Sequence, residues 1–506
     1  MKPAVLLRLA LAGNRTDTVR VVLTALSATL ATLAGLAALT VLAIPTPPGD
    51  RWTQSEQYGN ALLREPGLRG GTALALLLLA IPVLALAGQC ARLGAPARDR
   101  RLAALRLAGA TPGQVTRIAV AETGLASLFG TLVGLAGYLG GRAVLHRPDA
   151  QGRLALPTDV LPSAGAILAV VLGLPLVAAL ASALLLRGVT TTPFGVVRRA
   201  RRERAPGPWA GLLIVGGLVA FAAFDPVLDR YQDLHREPPL WLPPLLLVGG
   251  GLAAILGVVV GTGWLSYTSG RLLHRYARRP AALLASRRLT ADPWAGSRTF
   301  AALLAAVIVG AGAAGIRAAF AAEIELRRLN GGSLAGSDDF YLGTMDLIDV
   351  AIAVAMTIAA GGLVVALVEG IAARRRAYAA LVATGVPRGT LGRSIAWAAF
   401  VPAVPAVVLA LAVGALLAGG LTRTPRSAGG YYQQVCDAGA ELCANPATSA
   451  RYTRTEWVPE VTVTPDVPLA QLAGIGAGAL AAVLVTVGVG LLFLRASTAV
   501  EELRTA

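Results

Sequence analysis

Long apolar runs alternate with short polar segments along the whole chain. Ten of these runs approach or exceed roughly 20 residues, the length that an α-helix needs to cross the hydrocarbon core of a bilayer. Because lipid cannot satisfy the backbone groups of an open strand edge, runs of this kind predict helices. The pattern therefore predicts ten transmembrane spans, near residues 20–44, 71–90, 118–141, 159–187, 209–224, 241–268, 299–321, 345–371, 394–421 and 469–494.

Composition agrees with an all-α polytopic membrane protein. Charged residues make up 14% of the 506 residues, whereas soluble domains carry about 25%. The short alternating segments of a transmembrane β-barrel are not visible in the sequence. The first apolar run, Val21–Ile44, is longer than the roughly 7–15 residues of a signal-peptide core, so we expect it to remain as the first span.

The distribution of basic residues predicts the topology. The net charge of +17 could indicate a nucleic-acid partner. However, 30 of the 45 basic residues lie in six segments on one side of the predicted spans, as the positive-inside rule predicts for cytoplasmic loops. We therefore expect no nucleic-acid binding, and a multi-pass protein of the cell membrane with both termini in the cytoplasm. The opposite loops, at 45–70, 322–344 and 422–468, predict only small extracellular segments.

The sequence argues against several classes of enzyme. Lys2 is the only lysine, and a P-loop ATPase needs a Walker A lysine to contact the nucleotide phosphates. We therefore expect no ATP hydrolysis by this chain itself. The histidines His146, His235 and His274 are scattered over different loops and predict no metal site.

One basic segment occurs twice. Ala97–Arg117 recurs at Ala373–Arg393, with an offset of 276 residues that also aligns Gly109 with Gly385; we call these the first and second basic segments. Spans 1–4 and 7–10 share one plan, and both sets begin on the cytoplasmic side, which predicts two parallel four-helix repeats. A basic amphipathic lead before each repeat predicts a helix lying on the inner leaflet. The predicted parts are a first module at 1–190, an inserted helix pair at 191–270 and a second module at 271–506.

Each basic segment predicts a short helix, a glycine break and a second helix that enters the next span. Ala, Leu and Arg dominate Arg98–Leu107 and favour helix, and Gly109 can end that helix in the left-handed conformation. Thr111 then supplies an N-cap, with Pro112 at the first helical position. A rigid helix at the cytoplasmic edge suits docking into the groove of a partner, although basic residues there could instead bind anionic lipid headgroups.

At these residues the sequence resembles the FtsX-like/MacB-type ABC transporter permease family. The resemblance is carried by ARDRRLAALRLAGATPGQVTRIAVAETGLASLFGTLVGLAGY and by the second copy, ARRRAYAALVATGVPRGTLGRSIAWAAF. It implies that a separate cytoplasmic ABC ATPase, in two copies per permease, binds ATP and Mg and pulls on coupling helices in the two basic segments. The residues that it implies in this coupling are Arg98, Arg100, Arg101, Leu102, Leu105, Arg106 and Gly109, and then Arg374, Arg375, Arg376, Leu381 and Gly385.

An acid inside a predicted span is a functional candidate by default. Glu122 lies one turn inside the third span, at an acidic position that is common after the family's motif. It could be the structural partner of a nearby arginine such as Arg117. It could equally belong to a transmission joint that also contains Arg117 and Arg393.

Two cysteines lie in the predicted outer loop 422–468. Cys436 and Cys443 would face an oxidising compartment if the topology is correct, and such pairs form disulfides. We therefore predict a local Cys436–Cys443 disulfide that staples the loop.

The resemblance implies a permease that works by mechanotransmission, with efflux or extraction of a lipid, lipoprotein or amphipathic peptide. It also implies contact with membrane lipids and no cofactor bound directly by the chain. Two alternatives stay open. One is a mechanotransmitting regulator of cell-wall hydrolases or of a signalling partner, acting through loop 422–468. The other is an ion-coupled secondary transporter, which would need central polar residues in which the spans are poor.

Overall fold

Apolar helices form most of the chain in the computed structural model. The structure describes residues 15–46, 55–66, 68–73, 76–77, 107–190, 207–239, 241–329, 335–422, 426–436 and 452–497. Within these ranges, nine helices are long and apolar enough to cross a membrane. They confirm the all-α polytopic fold class and nine of the ten predicted spans, because the predicted span 71–90 lies mostly outside the described residues. The nine cover 21–42, 113–145, 164–183, 210–233, 242–276, 299–329, 342–373, 388–420 and 469–495.

The helices and strands are numbered here in chain order. The first part of the chain contributes α1 (Arg15–Leu42), α2 (Ala61–Arg64), α3 (Pro112–Leu145) and α4 (Ala164–Thr190). The inserted pair contributes α5 (Ala210–Ala222), α6 (Phe224–Asp233), α7 (Leu242–Pro244), a π-helical turn at Leu245–Gly249, and α8 (Gly250–Tyr276). The last part contributes α9 (Pro280–Ala291), α10 (Trp294–Leu329), α11 (Ala335–Ala373), α12 (Arg375–Ala383), α13 (Arg388–Thr422), β1 (Arg426–Ala428), β2 (Tyr431–Cys436), β3 (Thr453–Val458), β4 (Val461–Val463) and α14 (Leu469–Ser497).

Helices α1, α3 and α4 form a first bundle. At the crossing of α1 and α3, a Cβ on Gly130 would overlap the carbonyl oxygen of Ala25 and lie 2.8 Å from its Cα. The Thr29 hydroxyl donates a hydrogen bond of 2.9 Å to the Gly130 carbonyl across the same crossing. Small residues at the interface therefore let the two backbones come into direct contact, as is typical of membrane helices.

A buried arginine organises the segment between α1 and α3. Arg69 is 4% exposed, and its guanidinium donates to the carbonyl oxygens of Leu63 at 2.8 Å and Ile44 at 3.1 Å. It also donates to the Ser55 hydroxyl at 2.6 Å. Because these acceptors satisfy its N–H donors, the guanidinium ties part of the predicted loop 45–70 to the end of α1.

The second bundle contains α10, α11, α13 and α14, and the inserted pair packs against it. Ala254 and Val258 of α8 belong to the same buried core as Val307 of α10 and Ala406 of α13. On its other side, α8 contacts α5 closely enough that a Cβ on Gly257 would lie 2.8 Å from the backbone nitrogen of Ile214. The inserted pair is thus structurally continuous with the second bundle.

The lead before span 7 forms its own helix, α9, as the sequence predicts. Its buried residues include Ala285 and Leu289, and a Cβ on Gly270 of α8 would lie 2.8 Å from the Leu289 Cβ. Helix α9 also contacts α13. One face of α9 therefore packs on protein, so the helix is more than an anchor on the leaflet. Asp292 starts the next helix, since the Ala295 N–H donates to its Oδ1 at 3.2 Å.

The predicted outer loop 322–344 is largely helical, which corrects the sequence interpretation. Helix α10 continues to Leu329, and α11 begins at Ala335. Charged residues end the apolar run without ending the helix, because pairs such as Glu323–Arg327, at 3.4 Å and four residues apart, stabilise an exposed helix. Hydropathy marks the limits of the membrane, whereas backbone hydrogen bonding sets the limits of the helix.

An ion-pair triad joins these two long helices. The Arg317 guanidinium of α10 lies 2.8 Å from carboxylate oxygens of both Asp346 and Asp349 of α11. The two acids stand three residues apart, on one face of the helix. The triad therefore fixes α10 and α11 relative to each other near their connection.

Part of the predicted outer loop 422–468 forms a β-hairpin. Strand β2 pairs antiparallel with β3, with Cys436 opposite Thr453, and β1 pairs antiparallel with β4. The rings of Tyr432 and Trp457 lie with their centroids 4.8 Å apart across the hairpin. Cys443 lies outside the described residues, so the disulfide stays a prediction.

The α1–α3 contact yields a stability prediction. Gly130→Ala is expected to destabilise the protein by about 1–3 kcal/mol, because the added methyl group meets the backbone of Ala25 and one helix has to move. The matched control is Gly140→Ala on the same helix, where nothing lies within 4 Å of the added carbon and alanine favours helix. Thermal unfolding of the full-length protein in detergent would measure both. Equal unfolding temperatures for the two variants would contradict the close contact.

Candidate functional site

The second basic segment contains a short helix that ends at a left-handed glycine. Helix α12 begins directly after Arg374, and Gly385 has a φ of +91°. The Gly385 N–H donates to the Val382 carbonyl at 3.0 Å, and the Val386 N–H donates to the Leu381 carbonyl at 3.0 Å. These two bonds form a Schellman motif, which satisfies the last carbonyls of the helix and reverses the chain direction. The predicted glycine break is confirmed here.

The first basic segment has the same break. Gly109 has a φ of +93°, and α3 begins three residues later at Pro112. Thr111 caps α3 through a capping box, in which the Gln114 N–H donates to its hydroxyl and its own N–H donates to the Gln114 side chain at 3.0 Å. Helix α13 begins at Arg388, 276 residues after Pro112, so the two segments lead into their spans at equivalent positions.

One face of α12 is anchored to the second bundle. Tyr378 is 8% exposed, and Leu381 and Val382 are partly buried. This spacing of three and four residues places all three side chains on one face. Leu381, one of the residues implied in ATPase coupling, therefore contacts its own bundle. The residues that this face joins around one core are Ile371, Leu391, Ile395 and Leu494.

On the opposite side of α12, several small side chains are exposed. Ala377, Ala380 and Ala383 are exposed, and we call them the alanine face. Small side chains let another backbone approach closely. Helix α12 therefore exposes small side chains on one face, while its opposite face is packed against the second bundle.

A residue of the lead helix holds the buried tyrosine of α12. The Arg288 guanidinium of α9 donates to the Tyr378 hydroxyl at 3.3 Å. Burial lowers the pKa of Arg288; Tyr378 and the carboxylate of Asp292 oppose this shift, and the nearby positive charge of Arg374 adds to it. Sequence reasoning missed this pair. The spacing of Tyr378 to Leu381 could have indicated an inward face, but nothing in the sequence connects it with Arg288.

The residues of the predicted transmission joint have different surroundings. Arg117 and Arg393, which are equivalent by the repeat, are both exposed. Glu122 is 6% exposed and takes part in an interaction. Five residues place Arg117 and Glu122 about 140° apart around a helix, a spacing that does not favour a direct pair. The transmission joint stays a prediction.

The remaining predicted site residues fall into two groups. Arg375 and Arg376 form the first turn of α12, and Cys436 ends β2. The residues that lie outside the described part of the chain are Arg98, Arg100, Arg101, Leu102, Leu105, Arg106 and Cys443.

Two regions of the chain match a known protein family. Residues 72–194 and 350–500 both match the FtsX-like permease C-terminal family. Together they cover more than half of the chain, and each contains one of the two basic segments. No curated protein and no solved structure gives a significant match.

The left-handed glycines generate a matched set of predictions. Gly109→Ala and Gly385→Ala are each expected to cost about 1–2 kcal/mol locally, because a Cβ disfavours the left-handed region. Gly113→Ala and Gly389→Ala are the controls, since both lie near the start of a helix with nothing within 4 Å of the added carbon. Hydrogen exchange of the amides of residues 381–386 would show faster exchange for Gly385→Ala than for Gly389→Ala. Unchanged exchange in Gly385→Ala would contradict the assigned turn.

Proposed function

The chain belongs to the FtsX-like permease family, and from this premise we propose that its two basic segments couple a separate ABC ATPase to mechanical work across the membrane. Family members are membrane subunits of ABC transporters that lack ATPase activity themselves and work with a cytoplasmic ABC ATPase. The observation that carries the proposal is α12, a short helix anchored on one face and exposed on the other. Such a helix can receive a force without detaching from the bundle.

The packing behind α12 supports transmission of that force. Tyr378 shares one core with Ile371 at the end of α11, Leu391 at the start of α13 and Leu494 of α14. Because packed interiors are nearly incompressible, displacement of α12 moves these helices together. Arg288 extends the connection to α9 through its bond to the Tyr378 hydroxyl.

The lengths of α10 and α11 support transmission to the far side of the membrane. They contain 36 and 39 residues, which corresponds to roughly 54 and 58 Å at 1.5 Å per residue. The hydrocarbon core of a bilayer is about 30 Å thick, so both helices project beyond it. Arg317, paired with Asp346 and Asp349, makes the two helices move as one unit.

The repeat supports one permease chain for two ATPase subunits. Each basic segment has its own left-handed glycine, Gly109 or Gly385, and each leads into an equivalent span. One ATPase subunit would contact each segment, and ATP and Mg would bind within that ATPase subunit. The work would extract or export a lipid, lipoprotein or amphipathic peptide, with both termini of the permease in the cytoplasm, the side that the positive-inside rule favours.

The coupling can be tested by substitution on the alanine face. Ala380→Glu is expected to reduce binding of the co-expressed ABC ATPase at least tenfold, because a buried, unpaired charge would enter the contact. The paired reversals Arg98→Glu/Arg100→Glu and Arg374→Glu/Arg376→Glu should weaken it as well. Quantitative crosslinking of the purified complex in nanodiscs would measure this. Arg287→Glu, at an exposed position of α9, is the charge control. Wild-type amounts of ATPase on Ala380→Glu would refute docking at α12.

The β-hairpin favours a second candidate function, regulation of a cell-wall hydrolase or signalling partner without a transported substrate. Tyr432 and Trp457 are 71% and 51% exposed, and exposed aromatic residues of this kind are enriched at protein interfaces. Mechanical work could reach an outer partner through this hairpin.

The two candidate functions predict different effects of changing the aromatic pair. Tyr432→Thr/Trp457→Thr keeps strand-forming residues while it removes both rings. If the protein is a regulator, this variant should lose control of its outer partner, measured as cell-wall hydrolysis, while retaining the ATPase. Unchanged hydrolysis in cells would leave export as the function of the complex.

A further inference from the structure

A cavity of about 340 Å³ lies directly behind α12. Its wall is built by α9, α10, α11, α13 and α14, and it reaches the surface at Ala373, which is exposed. Two residues of the wall mark ends of membrane-spanning stretches: Thr299 is the first residue of one stretch, and Ala373 is the last residue of another. The mouth of the cavity is therefore at the boundary of the membrane, on the side of the basic segments, and the remainder extends into the apolar layer.

The mouth contains two neighbouring cations. Arg288 and Arg374 both line it, and both are partly buried. The carboxylate of Asp292, also in the wall, favours the charged form of Arg288. The carboxylate of Glu369 is in the wall as well and takes part in an interaction. A phosphate would add an anion beside the two partly buried guanidinium groups, where the low-dielectric space strengthens the attraction between opposite charges.

The deep end of the cavity is apolar. Leu363, Val483 and Val487, which lie well inside their membrane-spanning stretches, line it together with Thr486 and are 3%, 1% and 4% exposed. Phe300, which is 7% exposed, lines the wall next to Thr299. Volumes of roughly 300–1,000 Å³ are typical of small-molecule sites, so the cavity has room for a headgroup and part of one hydrocarbon chain. Charge at the mouth and hydrocarbon at depth match an amphiphile that is oriented as in a bilayer leaflet.

We propose that this cavity binds a phospholipid of the adjacent leaflet, with the phosphate between Arg288 and Arg374 and one acyl chain among Phe300, Leu363 and Val483. Arginine suits this role because its planar guanidinium donates paired hydrogen bonds to phosphate oxygens. The bound lipid would touch Gly370 and Arg374 in the same wall, where α11 leads into α12. Binding does not depend on the proposed ATP-driven function, because the site lies wholly within this chain.

Native mass spectrometry of the full-length protein in a neutral detergent would test the site. The probe is oleoyl lysophosphatidylglycerol, and we expect one tightly bound molecule per chain. Arg374→Gln is expected to lower the affinity roughly tenfold or more, the loss that accompanies one charge-assisted hydrogen bond. Ala366→Leu, which fills the cavity without a change of charge, should lower it by a similar factor. Arg287→Gln, next to Arg288 but exposed, is the matched control and should bind as wild type does.

Two further ligands separate a lipid from other sources of the same chemistry. Monoolein has the same chain without a phosphate, and glycerol 3-phosphate has the phosphate without a chain; both should bind at least tenfold more weakly than the probe. Equal binding of monoolein would show chain association only, and equal binding of glycerol 3-phosphate would show a soluble phosphate ligand. Either result would overturn the proposal, as would wild-type affinity in folded Arg374→Gln and Ala366→Leu. The measurement contains no ATPase, so its outcome is independent of docking at α12.

Discussion

The close contact of small residues between helices is the constraint on which the rest of the structure depends. Apolar side chains gain little by leaving lipid for one another, so membrane helices associate through tight packing. At the crossing of α10 and α13, a Cβ on Gly414 would lie 2.6 Å from the Ala311 Cβ. Gly130 brings α1 and α3 together in the same way. Both bundles contain such a crossing, which holds their helices in direct backbone contact.

Tight packing also fixes the position of α12. The chain changes direction at Gly385, just after α12 ends. The position and orientation of α12 against the second bundle are fixed by Tyr378, which is buried in the core that they share. By the 276-residue offset, Leu102 and Leu105 are the counterparts of Tyr378 and Leu381. The apolar positions of the repeated motif thus correspond to the anchored face in the second copy, and the small residues between them correspond to the face that is free for a partner.

Local signals predicted much of the candidate site. The left-handed turns at Gly109 and Gly385 follow from the freedom of glycine, and the cap at Thr111 follows from its hydroxyl and the following proline. The ends of α10 and α11 were not predictable from hydropathy, because Glu323 and Arg327 end the apolar run while they continue the helix. The bond from Arg288 to Tyr378 spans 90 residues, and no local pattern encodes such a contact.

The sequence by itself determined that the chain crosses a membrane repeatedly, that it contains a repeat and that a glycine breaks each basic segment. These properties depend on run length, on spacing and on backbone freedom, all of which are local. Only the tertiary structure decided that the inserted pair packs on the second bundle and that α9 packs partly on protein. It alone decided that Arg288 and Arg374 meet at the mouth of one cavity. The physical reason is that such contacts arise where helices distant in the chain cross, and their crossing is fixed by the fit of all their side chains together.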